Sequence, residues 1–425
     1  MKRFLCITLA LLMVLSLAAC GGDGNGETAT PGAPDTEQDS PKTVTMFTKK
    51  REWNWEEIEK KFEDANPGYD LIVETCDADN YDNILKSYAA TQDFPDVIQT
   101  TSGSSLDLWK EHLVDVGDLA CLEKMQKDIV NEFYLDGVCY GVPLFAEYHG
   151  VIYNMTYLKA AGIEEPPETL SEFIAMNQAL QAAGQPTGIA PWKGAAVIPA
   201  HMAAPVFAAQ EDALAYYQQI EDGQADLTQD EMFNALLDYL DAVREYGNED
   251  ALNTDNTTER NAMYAGDYAW YAHDGSWVTP ALRSTNPDME QNLRLGVYPF
   301  SDDAALNKVG VSVQSLSIMN TENIEAAKVF VEWLLGTDEG CDILAKDNNV
   351  VMQRTDYVMA AEDIGELAAQ GVELTNAGKG ASNFRWISGA VMVSAADTFQ
   401  KYIAGVYDRE TALNEIASII QANKA

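Results

Sequence analysis

Short strand-like segments alternate with helical segments along the first part of this chain, and this alternation limits the possible folds more than any other sequence feature. The pattern predicts strands at residues 43–48, 69–75 and 96–100, with helices at 54–65 and 81–91 between them. Strands that are joined through helices form parallel sheets with helices on both faces. The chain is therefore predicted to be an α/β protein.

The length of the chain predicts more than one lobe, since about 380 residues after the N-terminal region exceed one compact core. Thr169 with Glu172, and Thr228 with Glu231, have the spacing of capping boxes and predict helix starts in a mostly helical middle region. Strand-like segments return at residues 293–298 and 309–319, before three further helices. Two lobes, between which the chain crosses more than once, fit this pattern.

The N-terminus has the features of an export signal. Lys2 and Arg3 precede an apolar stretch at residues 4–17, which is shorter than the roughly 20 residues of a membrane span. The following Leu17-Ala18-Ala19-Cys20 resembles the bacterial lipobox, which implies removal of residues 1–19 as a signal peptide and acylation of Cys20, with palmitate as one such group. The alternative is a plain signal peptide with an accidental cysteine. The lipid on Cys20 would hold the protein, extracytoplasmic, on the outer face of the bacterial cell membrane.

Residues 20–42 form the predicted tether between this anchor and the rest of the chain. Residues 21–42 include no Val, Ile, Leu, Met or aromatic side chain, so they cannot bury apolar surface and are predicted to be disordered. A flexible chain of this length reaches roughly 25 Å. The tether would lift the folded body just clear of the lipid headgroups.

The formal net charge of −40 at pH 7 excludes several partners. A surface this acidic repels nucleic acids and anionic headgroups, so we expect no nucleic-acid partner and no membrane contact beyond the lipid. Four cysteines remain after the signal peptide, at positions 76, 121, 139 and 341, and no CxxC pair occurs among them. Disulfide bridges and buried thiols both remain open for Cys76, Cys121, Cys139 and Cys341.

The motifs of common enzymes are missing from the sequence. There is no Gly-x-Ser-x-Gly elbow and no Walker A sequence, and none of the four histidines has a partner at HExxH spacing. Asp77, Asp79 and Asp82 hint at a calcium loop, but Tyr81 and Tyr88 occupy two of its ligand positions. We therefore expect no catalytic residue, no metal and no cofactor. A pair of carboxylates for glycoside cleavage remains open among the 67 acidic residues.

Several segments in a characteristic order carry a resemblance to a known family. They include Phe94-Pro95-Asp96-Val97-Ile98, Tyr140-Gly141-Val142-Pro143, Val151-Ile152-Tyr153-Asn154 and Asp274-Gly275-Ser276-Trp277. Together with segments at 44–47, 62–68, 167–172, 262–266, 296–299 and 326–340, they resemble the extracellular solute-binding proteins (family 1) of carbohydrate ABC importers, a family that includes maltodextrin-binding proteins. The likeness extends from residue 43 to about residue 355.

The resemblance implies a two-lobed, periplasmic-binding-protein-like fold of type II, with a ligand cleft between lobes that are joined by hinge crossings. Lobe 1 would comprise residues 43–147 and 275–335, and lobe 2 residues 148–274 and 336–425. The crossings are expected near 145–152, 271–274 and 335–347. The implied function is capture of a small-molecule solute, a sugar or oligosaccharide, by hinge closure and its delivery to the permease subunits of an ABC transporter by a monomeric protein. A non-sugar solute, a sensor that signals to a membrane receptor and an exported glycoside hydrolase are the alternatives.

The chemistry of sugars predicts which residues contact the solute. A sugar has apolar C–H faces and a rim of hydroxyl groups, so its site stacks aromatic rings on the faces and directs polar groups at the rim. The predicted ligand-binding residues are Lys49, Arg51, Trp53, Ser102, Glu147, Trp192, Asp274, Trp277 and Trp386. Four other tryptophans are assigned to the core, namely Trp55, Trp109, Trp270 and Trp333.

These predictions follow from the positions of the residues along the chain. Lys49, Arg51 and Trp53 come after the first strand, where α/β sheets present ligand contacts. Glu147 stands where the maltodextrin-binding pattern implies a glutamate that contacts ligand, and Asp274 lies at another expected crossing. The alternatives are a solvated hinge carboxylate for Glu147 and an exposed aromatic at a helix start for Trp53.

Overall fold

A nine-stranded mixed sheet is the framework of the computed structural model, which describes residues 41–51, 53–77 and 80–424. Cys20, the predicted signal peptide and most of the predicted tether lie outside the described residues, as does Asp79. Among the helices of the described part, none combines the length and the hydrophobicity that a membrane span requires.

The strands agree closely with the sequence prediction in the first part of the chain. They are β1 (Lys42–Thr48), β2 (Tyr69–Thr75), β3 (Val97–Thr100), β4 (Tyr134–Leu135), β5 (Val138–Cys139), β6 (Val142–Asn154), β7 (Gly188–Ile189), β8 (Trp270–Gly275), β9 (Leu293–Gly296), β10 (Val309–Ile318) and β11 (Gly380–Ser382). β4 and β5 form a separate two-stranded sheet. The predicted parallel arrangement is confirmed for β1, β2 and β3.

The helices cover the sheet and build the middle region. They are α1 (Trp55–Ala65), α2 (Tyr81–Thr91), α3 (Ser104–Trp109), α4 (Lys127–Asn131), α5 (Met155–Ala160), α6 (Leu170–Ala182), α7 (Ala203–Ala208), α8 (Ala213–Glu221), α9 (Glu231–Tyr246), α10 (Asn256–Ala265), α11 (Thr279–Thr285), α12 (Pro287–Glu290), α13 (Ile324–Gly336), α14 (Asp338–Asn348), α15 (Ala361–Ile364), α16 (Glu366–Leu374), α17 (Gly389–Ile403) and α18 (Arg409–Ala422).

One predicted helix start is confirmed and one is wrong. The side chains of Thr169 and Glu172 form the predicted capping box at the start of α6. At α9 the cap is instead Asp230, whose carboxylate accepts a hydrogen bond from the backbone N–H of Phe233. Thr228 lies one turn earlier, in a short 3-10 turn. Asp230 displaces it because a carboxylate directly before the first helical residue reaches the free N–H groups.

The long strand β6 connects the two halves of the large sheet. The strand order is β2-β1-β3-β10-β6-β8-β7, with β11 beside β10 and β9 beside β6. β6 pairs antiparallel with β10 through its first half and with β8 and β9 through its second half. All 13 residues of β6 are buried. The expected crossing at 145–152 therefore lies inside a strand that is hydrogen-bonded on both sides.

Three hydrophobic clusters pack around the sheet. The first joins β1, α1, α13 and α14, the second joins α6–α9 with α17 and α18, and the third lies along β6, β8, β9 and β10. Cys341 and Leu344 belong to the first cluster, together with residues of β1 and α1. The reason is that α13 and α14 are packed against each other and bury their apolar faces on the same core.

The tryptophans assigned to the core and the cysteines have clear positions. Trp55, Trp109, Trp270 and Trp333 are all buried, as predicted. The cysteines at 76, 121, 139 and 341 are free thiols, and all but Cys76 are buried. Of the two alternatives that the sequence left open, the described residues thus show free thiols, three of which are buried.

Phe62 tests the first hydrophobic cluster. Its side chain is fully buried, and its ring lies 5.3 Å from that of Phe330 and 5.5 Å from that of Trp333. We expect Phe62→Ala to lower the free energy of unfolding by about 3–5 kcal/mol because it leaves a cavity between packed rings. Urea unfolding measures this loss. Val358→Ala is the control, since Val358 is 93% exposed and its truncation should leave stability nearly unchanged.

Candidate functional site

A group of charged side chains gathers where β1 ends beside the middle of β6. Lys50 Nζ lies 2.9 Å from Glu147 Oε1 and 4.9 Å from the centroid of the Phe145 ring. Both charged side chains are only about one-eighth exposed, at 13% and 12%. We call Lys49, Lys50, Glu147 and Arg385 the charged cluster. It includes two of the residues that the sequence predicted, Lys49 and Glu147.

Two cations in this cluster are partly removed from water. Desolvation, followed by repulsion from Lys50 and Arg385, lowers the pKa of Lys49 to about 8. Desolvation also lowers the pKa of Arg385 to about 10, against the attraction of Glu132 and Glu147. Arg385 donates a hydrogen bond of 2.6 Å from its guanidinium to Ser312 Oγ on β10. A polar or anionic group in this place would relieve the mutual repulsion of the cations.

The loop that carries Arg385, between β11 and α17, lies against the loop after β3. The backbone N–H of Ser104 donates to the backbone oxygen of Arg385 at 2.8 Å. Gly103 has a φ of +67°, and a Cβ at this position would lie 2.5 Å from that same oxygen. Only glycine allows this approach without strain. A residue from the last part of the chain is thereby held beside the end of β3.

Ser102 joins the loop after β3 to the same region. Its hydroxyl donates to Glu132 Oε2 at 3.4 Å, and the hydroxyl of Ser382 donates to Glu132 Oε1 at 2.8 Å. Burial raises the pKa of Glu132, while both hydroxyl groups and the charge of Arg385 oppose the rise. Ser102 therefore lies near the charged cluster, its hydroxyl is bonded to Glu132, and ligand contact by Ser102 remains a prediction.

Three histidines converge on the second half of the crossing. His149 lies on β6, His273 on β8 and His201 in a single π-helical turn (Ile198–Met202) before α7. The metal-binding atoms of these side chains, one from each, lie within 4.8 Å of one another. We call them the histidine cluster. Burial lowers the pKa of His149 to about 3 and holds those of His201 and His273 well below the ordinary value, so all three are neutral at pH 7.

Trp277 covers the histidine cluster on one side. Its ring centroid lies 5.9 Å from that of His149, 5.6 Å from that of His201 and 6.0 Å from that of His273. The indole N–H donates to the carboxylate of Asp274, which also accepts from Arg260 Nε at 2.9 Å. Asp274 is 1% exposed, and burial raises its pKa against the opposing effect of Arg260. Its observed contacts orient the ring of Trp277.

The remaining predicted residues lie in different surroundings. Trp53 is 6% exposed and packs on Trp55 and Phe145 in the first cluster, while Trp192 is fully buried in the second. Arg51 is exposed and pairs with Asp77 beside an open surface cavity of about 530 Å³. Trp386 is half-buried and contacts the second and third clusters. Trp53 and Trp192 thus contribute to cores in the described structure, and ligand contact by either remains a prediction.

Sequence reasoning missed several residues of this region. Arg385, Ser312, Asn383 and the histidine cluster come from distant parts of the chain, so no local spacing joins them. One signal was visible. Glu147 and His149 interrupt an apolar strand at alternate positions, and alternate residues of a strand share one face. Polar residues on one face of a buried strand indicate a site.

Comparison with known proteins identifies a family model and related sequences. Residues 49–340 match the model described as bacterial extracellular solute-binding protein. The multiple sugar-binding protein of Streptococcus mutans serotype c is 23% identical over 304 residues, which cover 69% of this chain and 70% of that protein.

Solved structures with similar folds cover most of this chain. RafE in complex with raffinose has a TM-score of 0.75 at 20% identity and covers 90% of this chain and 100% of its own. Apo RafE from Streptococcus pneumoniae has a TM-score of 0.74 at 19% sequence identity and covers 90% of this chain and 98% of its own. A sugar transporter from Bacillus licheniformis in complex with stachyose has a TM-score of 0.68 at 18% sequence identity and covers 88% of this chain and 98% of its own. These similarities show the two-lobed α/β fold.

The lowered pKa of Lys49 gives a direct test of the charged cluster. Between about 8 and the ordinary 10.5, the unfolded chain binds a proton at Lys49 that the folded chain has lost, so the free energy of unfolding rises with pH in this window. We expect Lys49→Met to remove that rise. Urea unfolding at several pH values measures it, with Lys60→Met as the control, because Lys60 is fully exposed. The same pH dependence in both variants would contradict the burial of the Lys49 charge.

Proposed function

The chain belongs to the bacterial extracellular solute-binding protein family, and we propose that it captures a sugar or oligosaccharide and delivers it to the permease subunits of an ABC importer. The proposed site is the cleft region formed by the charged cluster, Trp277 and Trp386. The observation that carries the proposal is the assembly of largely buried charged groups beside β6 and a tryptophan ring just after β8, where the chain crosses between the halves of the sheet.

The two kinds of group suit the two kinds of surface on a sugar. The ring of Trp277, oriented by Asp274, offers a flat apolar face for sugar C–H groups. Lys49, Glu147 and Arg385 offer donors and acceptors for hydroxyl groups. Asn383 Nδ2 is buried and has no hydrogen-bond partner among the described residues. A hydroxyl oxygen of the solute would satisfy this donor, which is costly to leave unpaired.

Related proteins support sugar as the class of solute. The relative from Streptococcus mutans is named a multiple sugar-binding protein, and similar structures hold raffinose and stachyose. We propose the same class of solute for this chain. A solute that touches both lobes only when they approach each other binds the closed state more tightly, and hinge closure follows from that difference.

The anchor completes the proposed role. Acylation of Cys20 and the tether of residues 20–42 would keep the protein on the outer face of the membrane, next to its permease. A flexible tether allows the lobes to open and close while the protein stays at the surface. The lobe boundaries at residues 147/148, 274/275 and 335/336 remain predictions.

Trp277 tests the sugar site. We expect Trp277→Ala to weaken binding by roughly 1–3 kcal/mol, because the indole face would no longer cover the sugar. Calorimetric titration with raffinose, stachyose and a chitin oligosaccharide measures this. Tyr407→Ala is the matched control. Tyr407 follows the end of α17, and its ring contacts the side chain of Lys401 in that helix. Equal affinity in wild type and Trp277→Ala would remove Trp277 from the site, and binding of only amino acids or polyamines would contradict a sugar as the solute.

Cys20 tests the anchor. We expect Cys20→Ala to move the protein from the membrane fraction to the medium or the soluble extracellular fraction, because the acylated sulfur is lost. Fractionation with immunoblotting measures this, and Cys76→Ala is the control because it leaves Cys20 unchanged. Membrane association that survives in Cys20→Ala would contradict the lipid anchor.

A further inference from the structure

We propose that His149, His201 and His273 form a binding site for a divalent transition metal ion, with Zn²⁺ as the best match. The site lies beside the proposed sugar site and does not depend on it. Three of the four histidines of the chain come together here, although they are far apart in sequence. Three imidazoles with one open position are a common zinc coordination set, and nitrogen ligands favour zinc over calcium or magnesium.

The distances between the nitrogens are close to those that a metal requires. His201 Nδ1 lies 3.0 Å from His273 Nε2. Two nitrogens bound to one tetrahedral zinc ion at about 2.0–2.1 Å stand about 3.3 Å apart. One ligand nitrogen from each of the three side chains lies within 4.8 Å of the other two, so His149 completes the set by a side-chain movement that gives up one of its present hydrogen bonds.

Hydrogen bonds outside the cluster hold two of the rings in the manner of metal ligands. His149 Nε2 lies 2.8 Å from Asn383 Oδ1, so this nitrogen carries the proton and Nδ1 is the acceptor nitrogen of the ring. His273 Nδ1 lies beside the hydroxyl of Tyr298, so His273 donates there and Nε2 keeps its lone pair. Ligand histidines typically donate their second N–H to an oxygen in this way.

The two nitrogens that the metal would use now accept hydrogen bonds. The Tyr298 hydroxyl donates a hydrogen bond to His149 Nδ1 at 2.9 Å. The N–H of His201 Nδ1 donates one to His273 Nε2. For His201 to bind through Nδ1, its proton moves to Nε2, so the imidazole stays neutral and no proton is lost. His201 is partly accessible to solvent, which allows this exchange.

Arg260 and Arg385 disfavour positive charge on the histidines, but each guanidinium lies among carboxylates. The guanidinium of Arg260 is paired with Asp274, and that of Arg385 lies within the charged cluster with Glu132 and Glu147. The carboxyl group of Glu259 is fully buried beside the backbone of residues 272 and 273, and burial and the charge of Asp274 raise its pKa. The π-helical turn that carries His201 is a rare feature that is often found at functional sites.

The direct test is a titration of the full chain, purified without a polyhistidine tag and treated with a chelator, with Zn²⁺. Excess Mg²⁺ is present throughout, because the net charge of −40 will attract divalent cations to the surface. We expect one Zn²⁺ per chain, and a loss of affinity of at least about tenfold in His201→Gln and His273→Gln. His112→Gln is the matched control, because His112 packs on Phe94, away from the cluster.

Cobalt provides a readout that does not depend on any variant. Co²⁺ bound to three imidazoles in the wild-type protein should give the visible absorption bands of a site with low coordination number, and Zn²⁺ should abolish them. The proposal is overturned if wild-type protein takes up no stoichiometric Zn²⁺ and shows no such bands, or if folded His201→Gln binds Zn²⁺ as tightly as wild type. Calorimetry with the sugar panel in a metal-free buffer keeps this outcome separate from that of the proposed function.

Discussion

The burial of β6 is the constraint on which the rest of the structure depends. Each of its 13 residues is buried, so every backbone N–H and C=O of the strand must find a partner inside the protein. β10, β8 and β9 pair with β6, and the N–H groups of Ala146 and Tyr148 donate to Val351 O and Ser276 Oγ. Because those strands come from distant parts of the chain, the pairing of one strand holds both halves of the molecule together. Polar side chains on such a strand are also buried, so they must find polar partners inside the protein.

The two polar clusters follow from this position of β6. Glu147 and His149 are separated by one residue and lie on the same face, so the charged cluster and the histidine cluster are neighbours along one strand. Ser312 stands opposite Glu147 and Gly310 opposite His149 on β10. A Cβ at Gly310 would lie 1.8 Å from His149 Cε1, so the histidine ring occupies the space that a side chain would need. Local geometry of the sheet thus decides where each functional group can lie.

The fold was predictable from sequence where the signals are local. The strand at 69–75 and the helix at 81–91 were predicted with the bounds that the structure has, since proline, glycine and capping residues mark their ends. The site was less predictable. Glu147 was predicted from its place in the maltodextrin-binding pattern, whereas Arg385 is brought near it by the pairing of β11 with β10, which sequence spacing does not reveal. Trp53 and Trp192 follow the same rule of loop position as Trp277, yet their rings pack into cores. Loop position alone does not say which way a ring points.

The place of β10 in the sheet has a consequence for how the chain reaches its folded state. β10 lies between β3 and β6, and the hydroxyls of Thr100 and Ser315, 215 residues apart, meet at 2.8 Å. Contacts of such large sequence separation form slowly, because the chain loses the entropy of closing a long loop before these contacts stabilise it. During synthesis, the first three-quarters of the polypeptide would lack its central strand. The proposed export across a membrane in the unfolded state would gain time from this delay, since the sheet cannot close until most of the chain has emerged.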